Sequence, residues 1–465
     1  MKIRVQVSIE YDGQHYIEEV ACLQRDELHP ETLGLALIEA KTLLTNLQQV
    51  VVTHQVTEYH QQHRYCDNCG ASRRRKGTNH LVYRTLFGTC ELKSERFYTC
   101  GCQPHTTKSE SPLTQLLPER TSPELLYLQT KWAALMSYEL TASLLNDVLP
   151  IELCNSTVRQ NAYRIAERLE NELGDEQAMF IDGCPAQWAS LPRPDGRLTV
   201  GIDGGFIQAR DADHRKAGWF EMIVGKSLSQ EGNNKCFGYV TTYDVKPKRR
   251  LHEMLRSQGL QMNQDITFLS DGGENVRHLP LYLSPQAEHL LDWFHITMRL
   301  TVMHQIFKGL PALKIDDAES TGAVAHELDR IKWFLWHGNV YKALESIDDL
   351  LFDLEPFADE HPGWMKLYRT LQEFATYIRN NSNSIPNYGE RHRYGEIIST
   401  AFVESAVNQL ISKRFVKKQQ MRWTKQGAHL LLQLRIQVIN DDLQAKFRHW
   451  YPHAFRKDGH ISAAA

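Results

Sequence analysis

Two short runs of this chain end alike. Thr199-Val-Gly-Ile-Asp203-Gly-Gly and Ile266-Thr-Phe-Leu-Ser-Asp271-Gly-Gly both read as a strand that stops at an aspartate followed by two glycines. A third acid, Glu404, lies 133 residues beyond Asp271 in a helical stretch running from Phe402 to Arg414. Two strand-borne aspartates and a helical glutamate form a donor set for a pair of Mg²⁺ (or Mn²⁺) ions. Hard cations take oxygen ligands, and carboxylates supply them with charge. Two such ions about 3.5–4 Å apart can hold the attacking and leaving oxygens of an in-line phosphoryl transfer. Each acid also has an ordinary reading. Asp-Gly is a strong hairpin-turn signal, Asp271 could cap a following helix, and a lone helical Glu is usually solvated. The spacing favours the joint reading, because ligands of α/β sheets gather outside the carboxyl ends of neighbouring strands. Asp292-Trp-Phe-His295 adds a polar pair at a further strand end, placed to contact DNA or support the metal ligands, or, on the ordinary reading, a helix-capping Asp292 with His295 a satisfied surface residue. Asn408 lies one helical turn after Glu404 and shares its face.

A second chemistry comes from thiols. Cys66-Asp-Asn-Cys69 is followed after 30 intervening residues by Cys100-Gly-Cys102. Four thiolates on two knuckles separated by a hairpin suit a structural, tetrahedral Zn²⁺. The Cys-x-Cys half is the less standard one, so His105, Cys90 or His63 remains an alternative for one ligand position. Nine cysteines in all, no signal-peptide core and no apolar run of about 18 residues point to a reducing cytoplasm and no membrane span.

Charge is unevenly spread. The net charge of −3 supplies no global attraction for nucleic acid. Yet Arg73–Lys76 and Lys246–Arg250 are basic clusters, and Lys413, Arg414, Lys417, Lys418, Arg422 and Lys425 occur with no acid between them. Such clusters beside a candidate nuclease site favour phosphate contacts. Upstream, Leu140–Leu149 and Ser156–Leu169 read as two helices around Pro150, an arrangement compatible with a helix-turn-helix or with a plain helical hairpin. In the first case Arg159, Gln160, Tyr163 and Arg164 would face a major groove.

These groups need elements to hold them. The chain has 465 residues, 42% hydrophobic and 23% charged, enough for about three ordinary domains. Alternation over Ile3–Ile9 predicts a strand, and a helix follows over Glu31–Gln49. Leu81–Phe87 and Cys90–Tyr98 read as a hairpin around Gly88. Ser122-Pro-Glu opens a helix. After a Pro-rich linker, Pro185–Gly196, strands are expected over Arg197–Ile207, Gly218–Ser227 and Lys235–Asp244. A helix follows over Arg249–Gly259, then strands over Asp265–Leu269 and Ala287–Trp293. Three strands in a meander followed by α-β-α-β is the order of an RNase H-like sheet. The expected architecture is multidomain α+β. It comprises an α/β segment (1–62), a zinc-ribbon-like module (63–110) and a helical DNA-binding region (111–184). The RNase H-like core (197–296 and 393–450) is split by an all-helical insertion (297–392), and a tail follows (451–465).

The strand-Asp203-Gly-Gly, Ser270-Asp271-Gly-Gly, Asp292-x-x-His295, the long helical insertion, Val403-Glu404-Ser405 leading to Lys413-Arg414, and Met421-Arg-Trp-Thr-Lys425 together resemble DDE transposases of the Mutator-like superfamily. They are most similar to the bacterial insertion-sequence group called the Kra type. The resemblance covers roughly residues 197–440 and is less specific over the cysteines, where the second knuckle departs from the pattern. It implies a DNA transposase with Asp203, Asp271 and Glu404 as the catalytic, metal-holding acids. Asp292, His295 and Asn408 would support them. On the helix-turn-helix and basic-run readings above, Arg159, Gln160, Arg164, Lys413, Arg414, Lys417, Lys418 and Arg422 would contact DNA. Its partners would be transposon ends and target duplex, bound by at least a dimer. A structure-specific RNase H-like endonuclease, or a catalytically retired zinc-dependent DNA-binding protein, is the competing expectation.

Overall fold

The computed structural model describes the chain apart from residues 12, 103–106, 181–183, 193–195, 211–217, 230–231, 274–275, 277–278, 280–282, 284–286, 311–319, 360, 417–421 and 456–465. The chain is a mixed α+β protein. It separates into two compact units, one made of Met1–Ala166 with Asp441–Ala465, the other of Glu167–Asn440.

In the first unit the alternating N-terminal residues form β1 (Lys2–Tyr11), paired antiparallel with β2 (Gln14–Gln24). The following helix, α1 (Leu37–Gln62), begins later and runs further than the sequence suggested. Its Val52 packs with Leu81, Cys90, Leu92 and Leu113. The hairpin expected around Gly88 is present as β3 (Arg75–Thr85) and β4 (Gly88–Tyr98), and a short β5 (Ser109–Glu110) adds to β4. Four helices follow, α2 (Pro112–Leu116), α3 (Pro123–Leu135), α4 (Tyr138–Val148) and α5 (Asn155–Leu173), the last of which counts to the second unit from Glu167 on. Ser122 and Ser137 cap α3 and α4 by accepting the amides of Leu125 and Leu140. The turn between α4 and α5 is clamped by Asn146, whose amide donates to the Leu153 carbonyl (3.0 Å) and accepts the Leu153 N–H (2.9 Å). The short α15 (Leu443–Trp450) belongs to this unit.

The second unit is built on a five-stranded sheet. Its strands are β6 (Leu198–Gln208), β7 (Trp219–Leu228), β8 (Lys235–Val240), β9 (Ile266–Ser270) and β10 (Glu288–Leu291), in the spatial order β10-β9-β6-β7-β8. The meander β6-β7-β8 is antiparallel, whereas β9 and β10 run parallel to β6. The crossover from β8 to β9 carries α7 (Pro247–Arg256). Leu198, Val200 and Ile202 turn one face of β6 toward Leu251 and Leu255 of α7. The other face, which includes Ile207, packs on Ala406, Ile411, Leu431 and Leu432. Those residues belong to α13 (Ala401–Val407), to a π-helical continuation (Asn408–Val416) and to α14 (Lys425–Ile439). The insertion has its own core, formed by α8 (Trp293–Lys308), α9 (Ser320–Trp336), α10 (Val340–Ala358) and α11 (Pro362–Asn380), with Tyr388 of α12 (Tyr388–Arg393).

Several expectations change. The run does not stop at Asp203: as the expected span Arg197–Ile207 allowed, β6 continues to Gln208, with Asp203 paired to Val224, so Asp203-Gly is no hairpin turn. The helix of Glu404 is not one uninterrupted α-helix but changes to π geometry from Asn408. Within the presumed linker 185–196, Pro185–Ala189 form a short helix, α6.

Two glycines of β6 set how closely α13 can approach. A Cβ on Gly201 would lie 2.2 Å from Cγ2 of Val403 and 2.6 Å from Cζ of Phe402, whereas one on Gly205 would meet only the flexible tip of Ile411 at 3.1 Å. Overpacking of a tight contact costs about 1–3 kcal/mol. Gly201→Ala is therefore expected to lower stability in urea unfolding by that amount, and Gly205→Ala by clearly less. Equal losses would contradict the docking of α13 on Gly201.

Candidate functional site

The β6–β9 register positions the two aspartates. Leu198 stands opposite Ile266 and Gly201 opposite Leu269, an offset of 68 residues. Continuing that offset by two residues sets Asp203 level with Asp271, which follows the last residue of β9. Parallel neighbours in register point to the same face. The face is that of Gly201 and Gly205, on which Val403, Val407 and Ile411 sit, so the helix bearing Glu404 crosses directly over Asp203. Gly204 N–H donates to Asp203 Oδ1 (2.7 Å), and Gly273 N–H to Asp271 Oδ1 (3.0 Å). Gly272 has φ +78, and a Cβ there would strike the Asn381 side chain at 2.4 Å, so the turn after Asp271 requires glycine.

Burial raises the Asp203 carboxyl above the ordinary aspartate range. The negative charges of Asp271 and Asp292 push it further, against the Gly204 amide and the His295 charge. Glu404 is exposed at the surface of α13. Asp203, Asp271 and Glu404 do not converge within 4.8 Å of one another as the four cysteines do.

Asp292 is fully buried and organises the surroundings of the acids. It caps α8 by accepting Phe294 N–H (2.8 Å), accepts Nδ1–H of His295 (2.7 Å) and the backbone N–H of Thr400 (3.2 Å), and also takes the Thr400 hydroxyl. Thr400 is the residue before α13. One carboxylate thus ties the first turn of α8 to the start of the Glu404 helix. The helix-cap reading of Asp292 holds, and its charge also acts on Asp203. Its hydrogen bond raises the pKa of His295, burial opposes, and the charges of Asp203 and Asp271 raise it further. Thr400 was not visible as a supporting residue in the sequence. Its only local signal is a hydroxyl just before a helix. Asn408 begins the π-helical segment, and its N–H reaches the Glu404 carbonyl.

The four cysteines come together in the first unit. Their ligand atoms all lie within 4.8 Å of one another. Sγ of Cys66 is 3.5 Å from that of Cys102, and Sγ of Cys69 is 3.5 Å from that of Cys100. A tetrahedral Zn–S distance of about 2.3 Å sets sulfurs roughly 3.8 Å apart, so the donor set fits that ion. Backbone amides of Cys69 and Asn68, aided by Cys102, draw the Cys66 thiol down to about 6. Gly70, at φ +70, closes the knuckle. Cys90 is buried in the apolar cluster, and neither it nor His63 is among the residues whose ligand atoms meet there. His105 lies outside the described residues.

Other site residues divide by burial. Arg159 and Gln160 are exposed on α5, with Arg159 5.9 Å from the Tyr163 ring. Arg164 is half-buried and donates to Asn161. Lys413 and Arg422 are exposed, while Lys417 and Lys418 lie outside the described residues. Arg414 corrects the reading of its basic run. It is fully buried, with its guanidinium 5.3 Å from the Trp423 ring, and is part of the packing under α13 rather than a surface contact.

The Lys246–Arg250 cluster is also turned inward. Arg250 donates to both oxygens of Glu170 and to both of Asp244, while Arg249 binds the Leu173 carbonyl. Asp244 lies only six residues before Arg250, whereas Glu170 is 80 residues away and was not foreseeable as its partner. Glu170, Asp244 and His429 also form a potential ligand group, but the Arg250 guanidinium already saturates both carboxylates.

No protein-family model and no curated protein matches this chain. Among solved structures, one titled as the Drosophila P element transposase strand transfer complex is similar over 69% of this chain and 93% of that chain, at 11% identity and a TM-score of 0.32. So low a score establishes neither a shared fold nor a shared activity. No helix among the described residues is long and apolar enough to cross a membrane.

The charge crowding at Asp203 has a measurable consequence. A carboxyl whose folded pKa lies above its unfolded value of about 3.9 contributes stability below that value and loses it as pH rises through the folded pKa. Asp203→Asn removes the ionised form and keeps the acceptor for Gly204. It is expected to melt above the wild type at pH 7–8, with the difference vanishing below about pH 4. A lower melting temperature at neutral pH would mean that Asp203 is not under electrostatic strain.

Proposed function

We propose that this protein is a DDE-type DNA transposase, cutting DNA at element ends and joining them to a target through a divalent-cation-dependent phosphoryl transfer. The observation that carries this reading is the 68-residue register offset, which makes Asp203 and Asp271 neighbours on two parallel strands under the helix of Glu404. The sheet order β10-β9-β6-β7-β8, with only the first three strands in a meander, supports an RNase H-like core. Asp203, Asp271 and Glu404 would together hold two Mg²⁺ ions. The mutual repulsion of Asp203 and Asp271 makes the pocket one that cations would relieve. Bound there, the ions supply Lewis acidity and charge neutralisation for in-line displacement.

The chain's own residues then have distinct tasks. The Gly204 and Gly273 amides orient the two carboxylates, each by one hydrogen bond. Asp292 holds His295 as a cation-forming donor beside them and anchors α13, so Glu404 approaches on a fixed helix. Rotation of its exposed side chain toward Asp203 would complete the donor set. Lys413 and Arg422 are proposed to meet the DNA backbone, and Arg159 and Gln160 of α5 to meet bases, with Asn146 fixing the angle at which α5 is offered. Cys66, Cys69, Cys100 and Cys102 would hold one structural Zn²⁺.

Nicking of supercoiled plasmid bearing the sequences that flank the gene tests the activity. Mg²⁺-dependent cleavage and a strand-transfer product are expected from the wild type. Asp203→Ala, Asp271→Ala and Glu404→Ala should each lose cleavage at least 10³-fold while still shifting DNA in gels. Wild-type rates from any of the three would remove that residue from the mechanism. Metal analysis of the purified chain should find one zinc, lost in Cys66→Ser, with a thermal transition of the first unit at lower temperature. Full zinc in that variant would exclude the cluster as the site.

A further inference from the structure

The cysteine-bearing module has a second feature that the cleavage chemistry does not use. Residues 63–110 carry nine Lys or Arg against four acids, in a chain whose net charge is −3. Arg64, Arg73, Arg74 and Arg75, with Ser72, Glu95 and Phe97, line a cleft of about 550 Å³. A line of four arginines is not by itself a site, since two of them could be occupied internally. Their individual partners separate the roles.

Arg73 is the floor. Its side chain is 8% exposed. It donates to Glu110 and to the His63 carbonyl, and it lies 5.5 Å from the Phe97 ring. Its Nε is buried and has no hydrogen-bond partner among the described residues. The other three arginines are exposed. Neither Arg64 nor Arg74 has a carboxylate partner among the described residues. Arg75 faces Glu95 at 3.3 Å in a largely solvated pair, which is worth little and is readily exchanged.

Backbone pairing fixes their spacing. Arg73 N–H donates to the Arg64 carbonyl (2.8 Å), Cys66 N–H to Ala71 (2.9 Å) and Gly70 N–H to Cys66 (2.8 Å). Arg64 and Arg73 are thus the two feet of the hairpin whose tip is the Cys66–Cys69 knuckle. A register shift between Arg75 and Gly77 leaves Lys76 as an extra residue in β3. Such a bulge twists the strand and redirects side chains. Arg74 and Lys76 both lie over the Tyr98 ring, at 5.9 and 5.6 Å, and Tyr98 is 41% exposed.

From this arrangement we propose that the cleft of Arg64, Arg74 and Arg75 is a binding site for the phosphodiester backbone of a nucleic acid. Lys76 and Tyr98 form its rim. Guanidinium groups suit phosphate because their fork of donors matches its oxygens. A floor that already pairs with Glu110 leaves Arg64 and Arg74 without a carboxylate partner among the described residues, and Arg75 only in an exchangeable pair with Glu95. Contacts of this type position a protein on nucleic acid without reading sequence. The site is independent of the proposed cleavage, so it can be tested without divalent metal.

The test is equilibrium binding of the full chain to a fluorescently labelled duplex of about 30 base pairs and arbitrary sequence, in EDTA-free buffer without Mg²⁺, from 50 to 200 mM NaCl. Each phosphate contact contributes about 0.9 to the slope of log K against log salt. The combined variant Arg64→Gln, Arg74→Gln, Arg75→Gln is expected to reduce that slope by about 2–3 and to weaken binding roughly tenfold or more near 100 mM salt. Lys93→Gln, an exposed charge of β4 outside the cleft, should change neither appreciably. Arg74→Gln alone, which removes no carboxylate pair, should lower the slope by about 1 and guards against misfolding of the combined variant. An unchanged slope in Arg74→Gln, or an equal loss in Lys93→Gln, overturns the proposal. Cleavage can fail in every one of these proteins without affecting the result.

Discussion

The arrangement of the second unit depends on one constraint, the parallel register of β6 against β9. A slip of one residue would turn every side chain of β9 to the opposite face of the sheet. Ile266 and Phe268 pack in the core shared with α7, where a one-residue slip would put the half-buried Thr267 instead, so the packing of β9 specifies the register. The acidic pair is a consequence of that packing. Its members are distant in sequence and each is held by one neighbouring amide, but their alignment follows from the core beneath them.

A second constraint comes from above the sheet. Small residues at Gly201 and Gly205 let α13 lie close on β6, and Asp292 fixes where that helix begins. A buried carboxylate is costly unless its lone pairs are used, and Asp292 uses them on Phe294, His295 and Thr400. The same carboxylate therefore joins the insertion, which starts at α8, to the helix that returns from it. This explains how about a hundred residues of separate helical core can intervene without displacing the two ends. The neighbouring Asp203 carries the opposite feature, a carboxyl disfavoured by burial and by Asp271. Polar groups kept in such an environment are candidates for a task other than stability.

Much of this was legible in the sequence because the relevant signals are local. Alternation and turn residues gave all five strands of the sheet within a few residues, since strands of four to eleven residues bounded by Gly, Pro and Asn are short-range patterns. The cysteine knuckles were legible for the same reason. What failed depended on partners far along the chain. Arg250 looked like a phosphate ligand because Glu170, 80 residues before it, approaches only in the fold. Arg414 looked exposed because a basic residue in a basic run usually is, yet it packs against Trp423. Asp203 could be read as a turn residue because Asp-Gly commonly is one, although the strand expected over Arg197–Ile207 already ran past it, and its pairing with Val224 settles the choice. The change from α to π geometry at Asn408 has no composition signal at all.

The most direct measurement is the anomalous scattering of Mn²⁺ in crystals of the protein bound to a cleaved DNA end. The account predicts metal density shared between the carboxylates of Asp203 and Asp271, with Glu404 turned inward to complete the coordination. Metal bound elsewhere in the second unit, with Glu404 still facing solvent in that complex, would contradict it.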